Sequence, residues 1–295
     1  MSRVNFKITP ALVMTALFLV LAPGSVSQAA TIYTPTADGT VAYTSGKAVI
    51  DASHTADGYV MVKYTGSNAK VKLRIQKDTE YTYDINATGN YVTFPLTEGS
   101  GSYTIKLFEN VSGTTYSQAV SQTIQVNLAS DTMPFLYPNQ FCNFNASSNV
   151  VAVSDSITAG ITDPLKKVEA IYNYAVDNIT YDNQKAATVQ SGYLPNVDNT
   201  LSQKTGICFD YAAVMSSMLR AQGIPTKLVI GYAGNVYHAW VSVYIQGQGW
   251  IDNLIYFDGT TWQLMDPTFV SSGKKSAEAL SYVSNPANYR QKFCY

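Results

Sequence analysis

Between Thr31 and about Ser130 the chain alternates apolar and polar residues in short runs such as GYVMVKYTG, KVKLRIQK, NYVTFPL and SYTIKLFE, separated by Gly, Asn, Ser and Thr. Successive side chains of a strand point to opposite faces, so a period of two with frequent turn signals predicts antiparallel strands in a sandwich. From about Ala159 the period lengthens. In TDPLKKVEAIYNYAVDN, Asp163 is placed to cap a helix and Pro164 to open it, and Leu165, Val168, Ile171, Tyr172, Ala175 and Val176 share one face. A second helix is expected from about Cys208 to just before Gly223, with Pro225 barring continuation. It is apolar on most sides, which suits the centre of a domain. Strand patterns return in KLVIGY, NVYHAWVSVYI and TTWQLMD, the first two joined by a Gly234-Asn235 turn.

The first residues read differently. Arg3 and Lys7 precede an apolar run from Ala11 to Leu21, and small residues Ser27 and Ala29 follow at cleavage spacing, the layout of a signal peptide over 1–29. The expected product is a secreted or extracellular protein, with association at a cell surface compatible with it; the run is too short to span a bilayer comfortably. Loss of the leader removes two basic and no acidic residues, taking 19 against 20 to 17 against 20, so nothing favours nucleic acid or an anionic membrane as partner. The length suggests a β-sandwich at 30–130, a linker without clear periodicity at 131–158 that packs on the second domain, and a helix-then-strand domain at 159–295. The fold class is α+β.

Three cysteines leave at least one thiol unpaired. Cys142 and Cys294 flank the second domain and are the expected disulfide, leaving Cys208. At the first turn of a helix, unsatisfied amides and the dipole favour a thiolate and can hold an oxyanion. Asp210, two residues on, opposes that thiolate unless its side chain points elsewhere. The chain has two histidines. His54 sits in the turn-rich DASHTADG and reads as a surface residue, whereas His238 follows the candidate nucleophile on a strand whose Trp240, Ser242 and Tyr244 share its face. Asp266 closes the strand before Pro267, where a carboxylate can orient an imidazole. Cys208, His238 and Asp266 are the candidate triad.

The runs TLSQKTGICFDYAAVMSSMLRAQGIPTKLVIGY, HAWVSVYIQGQGW and WQLMDPTF, with ITYD upstream, resemble the core of the transglutaminase-like superfamily over roughly residues 163 to 270. The resemblance implies a papain-type α+β domain after the sandwich expected at 30–130, which is taken as immunoglobulin-like, and thioester chemistry on peptide or protein amides. It implies that Cys208 attacks the carbonyl, His238 moves protons and Asp266 orients His238. The oxyanion would rest on the Cys208 N–H and a second donor. Animal members use a tryptophan upstream of the cysteine, absent here; Tyr181, Gln184 or Tyr193 would replace it, and Trp240 would line the site. The segment DNLIYFDGTT reads as an inserted strand and turn.

No cofactor is expected. Asp51, Asp57, Asp252 and Asp258 lack the alternate-residue spacing of a calcium loop, and no CxxC or HExxH accompanies Cys208 or His238 for zinc. The reading of a different class is a non-catalytic binding or adhesion protein that uses a Tyr-rich sandwich, with Tyr59, Tyr64, Tyr81, Tyr83, Tyr91 and Tyr103 as its surface.

Overall fold

The computed structural model describes residues 31–85, 88–252, 255–257, 262–264 and 285–295. The expected leader, Asp258 and Asp266 therefore lie outside the described residues. Eight strands come first: β1 (Ala42–Ser45), β2 (Ala48–Asp51), β3 (Tyr59–Tyr64), β4 (Val71–Gln76), β5 (Glu80–Ile85), β6 (Val92–Pro95), β7 (Gly101–Ser112) and β8 (Thr115–Val126). They form two four-stranded antiparallel sheets, ordered β1-β2-β3-β6 and β5-β4-β7-β8. Alternation dictates what is buried. In β4, Val71, Leu73 and Ile75 face inward while Arg74 and Gln76 face water. Each such aliphatic side chain taken out of water contributes about 1.5–3 kcal/mol. The inner faces share one apolar core, in which the Tyr83 ring of β5 meets Phe94 of β6 edge-on at 4.9 Å. Tyr59, Tyr64, Tyr81, Tyr83 and Tyr103 are all buried and so do not present a recognition surface, while Tyr91 is half-buried under the Lys63 ammonium, 4.7 Å from it to ring centre.

The remainder comprises α1 (Asn149–Ile157), α2 (Pro164–Asn178), β9 (Thr180–Tyr181), α3 (Asn183–Thr188), α4 (Val197–Gln203), β10 (Thr205–Gly206), α5 (Cys208–Ala221), β11 (Thr226–Ala233), β12 (Val236–Ile245), β13 (Gly249–Ile251), β14 (Ile255–Phe257), β15 (Trp262–Leu264) and β16 (Tyr289–Cys294). Helix α2 begins as its sequence dictates, with the Asp163 carboxylate accepting from the Leu165 N–H at 2.8 Å. Helix α1 occupies the end of the stretch expected as a linker and packs on α5. Its first amides, those of Asn149 and Val150, donate to the Asp198 carboxylate of α4 at 3.0 and 2.8 Å, a cap supplied from a distant part of the chain.

Helix α5 lies at the centre, packed on α1, α2 and α4 and on strands β11 and β12. Every residue from Asp210 to Ala221 is buried, and Gly223 (φ 73°) turns the chain in the left-handed region just past the helix. The main sheet has the order β13-β12-β11-β16 and is antiparallel throughout. Ala239, Val241, Val243 and Ile245 of β12 join the main core that α5 enters, whereas Trp240 belongs to a second cluster with Phe135, Val229 and Cys294. Gly231 of β11 makes room for this packing. A Cβ there would stand 2.1 Å from the Arg290 carbonyl oxygen and 2.8 Å from the Trp240 ring, and the β11–β16 register shifts at this residue.

The expected Cys142–Cys294 disulfide is not formed. Both residues carry buried free thiols, Cys142 in the main core and Cys294 in the second cluster against the Tyr81 hydroxyl at 3.9 Å. Their positions at the two flanks of the helical region looked like a clasp. In the fold they sit in separate apolar clusters, and burial pushes both thiols up, with Arg220 beside Cys142 and Lys227 beside Cys294 only partly countering it.

Candidate active site

Cys208 is the first residue of α5 and is half-buried, whereas the other two thiols are closed off. Its N–H is one of the first-turn amides that have no acceptor within the helix, at the positive end of the dipole. Two short strands fix the approach to this turn. β9 and β10 pair in parallel, with Thr180 opposite Thr205 and Tyr181 opposite Gly206, so the chain from 182 to 204 leaves and returns beside Cys208.

Asp210, fully buried in the same turn, points away from solvent and is fully engaged. Its Oδ2 accepts the Ile207 N–H at 2.9 Å and the Lys185 ammonium at 2.7 Å, and its Oδ1 accepts the Tyr193 hydroxyl. Lys185 also donates to the Tyr193 hydroxyl oxygen at 2.7 Å. Burial works against the Lys185 charge, but Asp210 and Tyr193 outweigh it and hold the ammonium above the ordinary lysine range. Burial, reinforced by the Asp210 carboxylate, pushes the Tyr193 phenol up. The glycine of TGIC is required by this arrangement, because a Cβ on Gly206 would lie 2.7 Å from the Asp210 Cβ. Sequence reasoning treated Asp210 as an adverse charge and did not see its partners. The signal was an aspartate at the third position of a helix that begins on a cysteine, the place from which a carboxylate reaches back to the cap amide.

His238 is buried on β12, one of the strands on which α5 packs, opposite Gly231 of β11. Its ring stacks on Trp240 with centroids 6.3 Å apart and planes 22° apart. Of the candidates for a second oxyanion donor, Tyr193 is engaged with Asp210 and Gln184 is exposed on α3, while register places Tyr181 beside Gly206, two residues before Cys208. Asp266 follows β15, which pairs with β14, a strand within the segment expected as an insertion, but is itself outside the described residues. The sandwich reaches this site through a chain of ring contacts. Tyr83 of β5 lies 5.9 Å from Phe141, which lies 5.5 Å from Phe209, the residue after Cys208.

The other end of α5 carries Arg220, a group that sequence reading passed over. Its guanidinium is buried and donates to the Thr226 carbonyl from Nε and Nη2 (3.0 and 2.7 Å), to Tyr137 O from Nη1 (2.7 Å) and to Tyr295 O from Nη2 (2.6 Å). A cavity of about 520 Å³ bordered by Thr132, Lys167, Gln222 and Pro225 lies at this same end, away from Cys208. Among the described residues no helix is long and apolar enough to cross a membrane.

Residues 151–267 match the model of the transglutaminase-like superfamily. The chain is 30% identical over 131 residues to the uncharacterized protein YebA of Bacillus subtilis (strain 168), covering 38% of this chain and 17% of the relative. It is 31% identical over 116 residues to a protein-glutamine gamma-glutamyltransferase of Pseudomonas aeruginosa, covering 34% of this chain and 17% of the relative. The chain thus spans about a sixth of the length of these curated relatives. Among solved structures, the periplasmic domain of TgpA from Pseudomonas aeruginosa aligns over 83% of this chain and 78% of its own, at 17% identity and a TM-score of 0.36, a distant likeness. The matched segment runs from α1 to the Asp-Pro pair after β15, and its sequence contains Cys208, His238 and Asp266. Residues 151–267 of this chain are a domain of the transglutaminase-like superfamily.

Proposed function

We propose that this protein is an exported cysteine enzyme that transfers acyl groups from peptide or protein amides through a thioester on Cys208. The observation that carries the reading is the position of Cys208, the one partly accessible thiol of three, at the head of the central helix. The Cys208 thiolate attacks the amide carbonyl carbon, and the negative charge that develops on oxygen is met by the Cys208 N–H and a second donor, for which Tyr181 is the best-placed candidate. His238, oriented by Asp266, gives a proton to the departing amine as the C–N bond breaks and the thioester forms. A second nucleophile then loses a proton to His238 as it attacks the thioester, and the thiolate is released. With water the product is an acid, and with an amine it is a new amide; both share every step up to the thioester. The sandwich braces the nucleophile helix through Tyr83, Phe141 and Phe209.

The test is mass spectrometry of a mixed protein substrate incubated with the chain and a biotinylated primary amine, with Cys208→Ala alongside. Amine adducts on glutamine that require Cys208 identify a transamidase, and Cys208-dependent cleavage or deamidation without adducts identifies a hydrolase. Products that form equally with the variant would overturn the reading. Removal of His238 or Asp266 is expected to lower the rate roughly 10²–10⁴-fold.

A further inference from the structure

The first turn of α5 holds a buried carboxylate two residues from the candidate nucleophile, a placement that by itself disfavours a thiolate. The structure shows what offsets it. The ammonium of Lys185, on α3, is 2.7 Å from Asp210 Oδ2, and its side chain is 30% exposed while that of Asp210 is wholly buried. Tyr193, from the segment leading to α4, closes the other carboxylate oxygen and stands under the same ammonium, 4.4 Å from it to ring centre. Both partners come from the stretch between β9 and β10, which contributes nothing else charged to this carboxylate among the described residues: Asp182 is occupied with the Lys185 N–H at 2.8 Å, and Asp198 with the α1 amides. Beside them, Tyr211, the next residue of α5, donates its hydroxyl to the Ile179 carbonyl; Tyr181 is on β9 and His238 on β12, and Arg220 is at the far end of the helix.

We infer that Lys185 is a positioning residue for Cys208: by pairing with Asp210 it cancels the one buried negative charge of the nucleophile's turn, leaving that carboxylate free to fix the Ile207 amide without raising the thiol's affinity for its proton. A carboxylate has two jobs here that conflict. Held to the Ile207 N–H, it sets the backbone of Gly206–Ile207–Cys208; left unpaired, its charge would oppose the thiolate that the helix dipole favours. The lysine separates the two jobs. The inference rests on Cys208 being the nucleophile.

Its test is the pH dependence of iodoacetamide alkylation at Cys208, read by peptide mass on the folded chain, in wild type and in Lys185→Met, Lys185→Arg, Asp210→Asn and the Lys185→Met/Asp210→Asn double variant. Lys185→Met is expected to raise the alkylation midpoint by about one pH unit, a roughly tenfold loss of thiolate below it. Asp210→Asn, which leaves an uncancelled cation, should lower the midpoint, and the double variant and Lys185→Arg should return it close to wild type. A purely structural role would move both single variants in the same direction, and that outcome, or no movement in either, would overturn the inference. If Lys185→Met does not fold, the opposite shift in Asp210→Asn still decides it. A wild-type Cys208 that alkylates no faster than a denatured control would instead sink the nucleophile reading itself, a result distinguishable from normal reactivity with unmoved midpoints.

Discussion

The two ends of α5 handle a buried charge in opposite ways. At the head, Asp210 meets a cation on a partly exposed side chain as well as a backbone amide; at the foot, Arg220 is enclosed and bound to main-chain oxygens of Thr226, Tyr137 and Tyr295. Both signs complement the helix dipole, acid in the first turn and base in the last. The difference is in what each charge is tied to. Arg220 joins the helix, the start of β11 and the stretch before α1 into one block, so its role is completed by folding. Asp210 is neutralised by a residue that water reaches, so the charge balance at the head can be altered without dismantling the core.

That contrast can be broken from either side. The largest effect is expected from Arg220→Met, which orphans buried carbonyl oxygens at about 1–3 kcal/mol each and should cost roughly 3–5 kcal/mol in urea denaturation. A loss under about 1 kcal/mol would mean that the foot is no more rigidly tied than the head. Next, Gly206→Ala forces its new methyl against Asp210 and should cost about 1–3 kcal/mol while displacing the carboxylate from Ile207. The accompanying readout is Cys208 alkylation rate, which should change in Gly206→Ala and stay constant in any Arg220 variant that folds. Asp198→Ala uncaps α1 and should lower stability by about 1 kcal/mol, measured in the same denaturation series.

The smallest effect is expected at the surface, and it depends on pH. His54 lies between two carboxylates, with Nε2 at 2.7 Å from Asp38 and Nδ1 at 3.1 Å from Asp57. Burial lowers its proton affinity, but the hydrogen bonds to Asp38 and Asp57 raise it more, so the folded value lies above that of the unfolded chain. The stabilisation is therefore complete below the unfolded value of about 6.5 and lost as pH rises through the folded one. Wild type should melt above His54→Gln at about pH 5.5, with the gap closing by about pH 8.5; a gap that widened with pH would reverse the sign assigned to this pair.

What could be read from the sequence was local. Asp163, Pro164 and Gly223 mark the start of α2 and the end of α5 through chemistry contained in a few residues, and Tyr237 to Ile245 declare β12 by alternation. The helix head at Cys208 was legible for the same reason. Three features were not, because each depends on chain segments brought together only by the fold. Helix α1 is capped from α4, Asp210 is paired from α3, and Arg220 finds its acceptors on three separate stretches. The disulfide expectation failed in the same manner, since parity and position in the sequence do not say which apolar cluster a thiol enters. His54 was correctly placed near the surface, but not its two acidic neighbours, Asp38 from sixteen residues upstream and Asp57 from the same turn.

The burial of Cys142 and Cys294 makes the native chain a single-handle reagent. With one accessible sulfur of three, a maleimide dye or an electrophilic probe added to the folded protein should install one tag at Cys208, whereas the unfolded chain accepts three. The mass of the tagged chain thus counts unfolded molecules one by one, and the same label reports where the nucleophile helix is in any complex the protein forms.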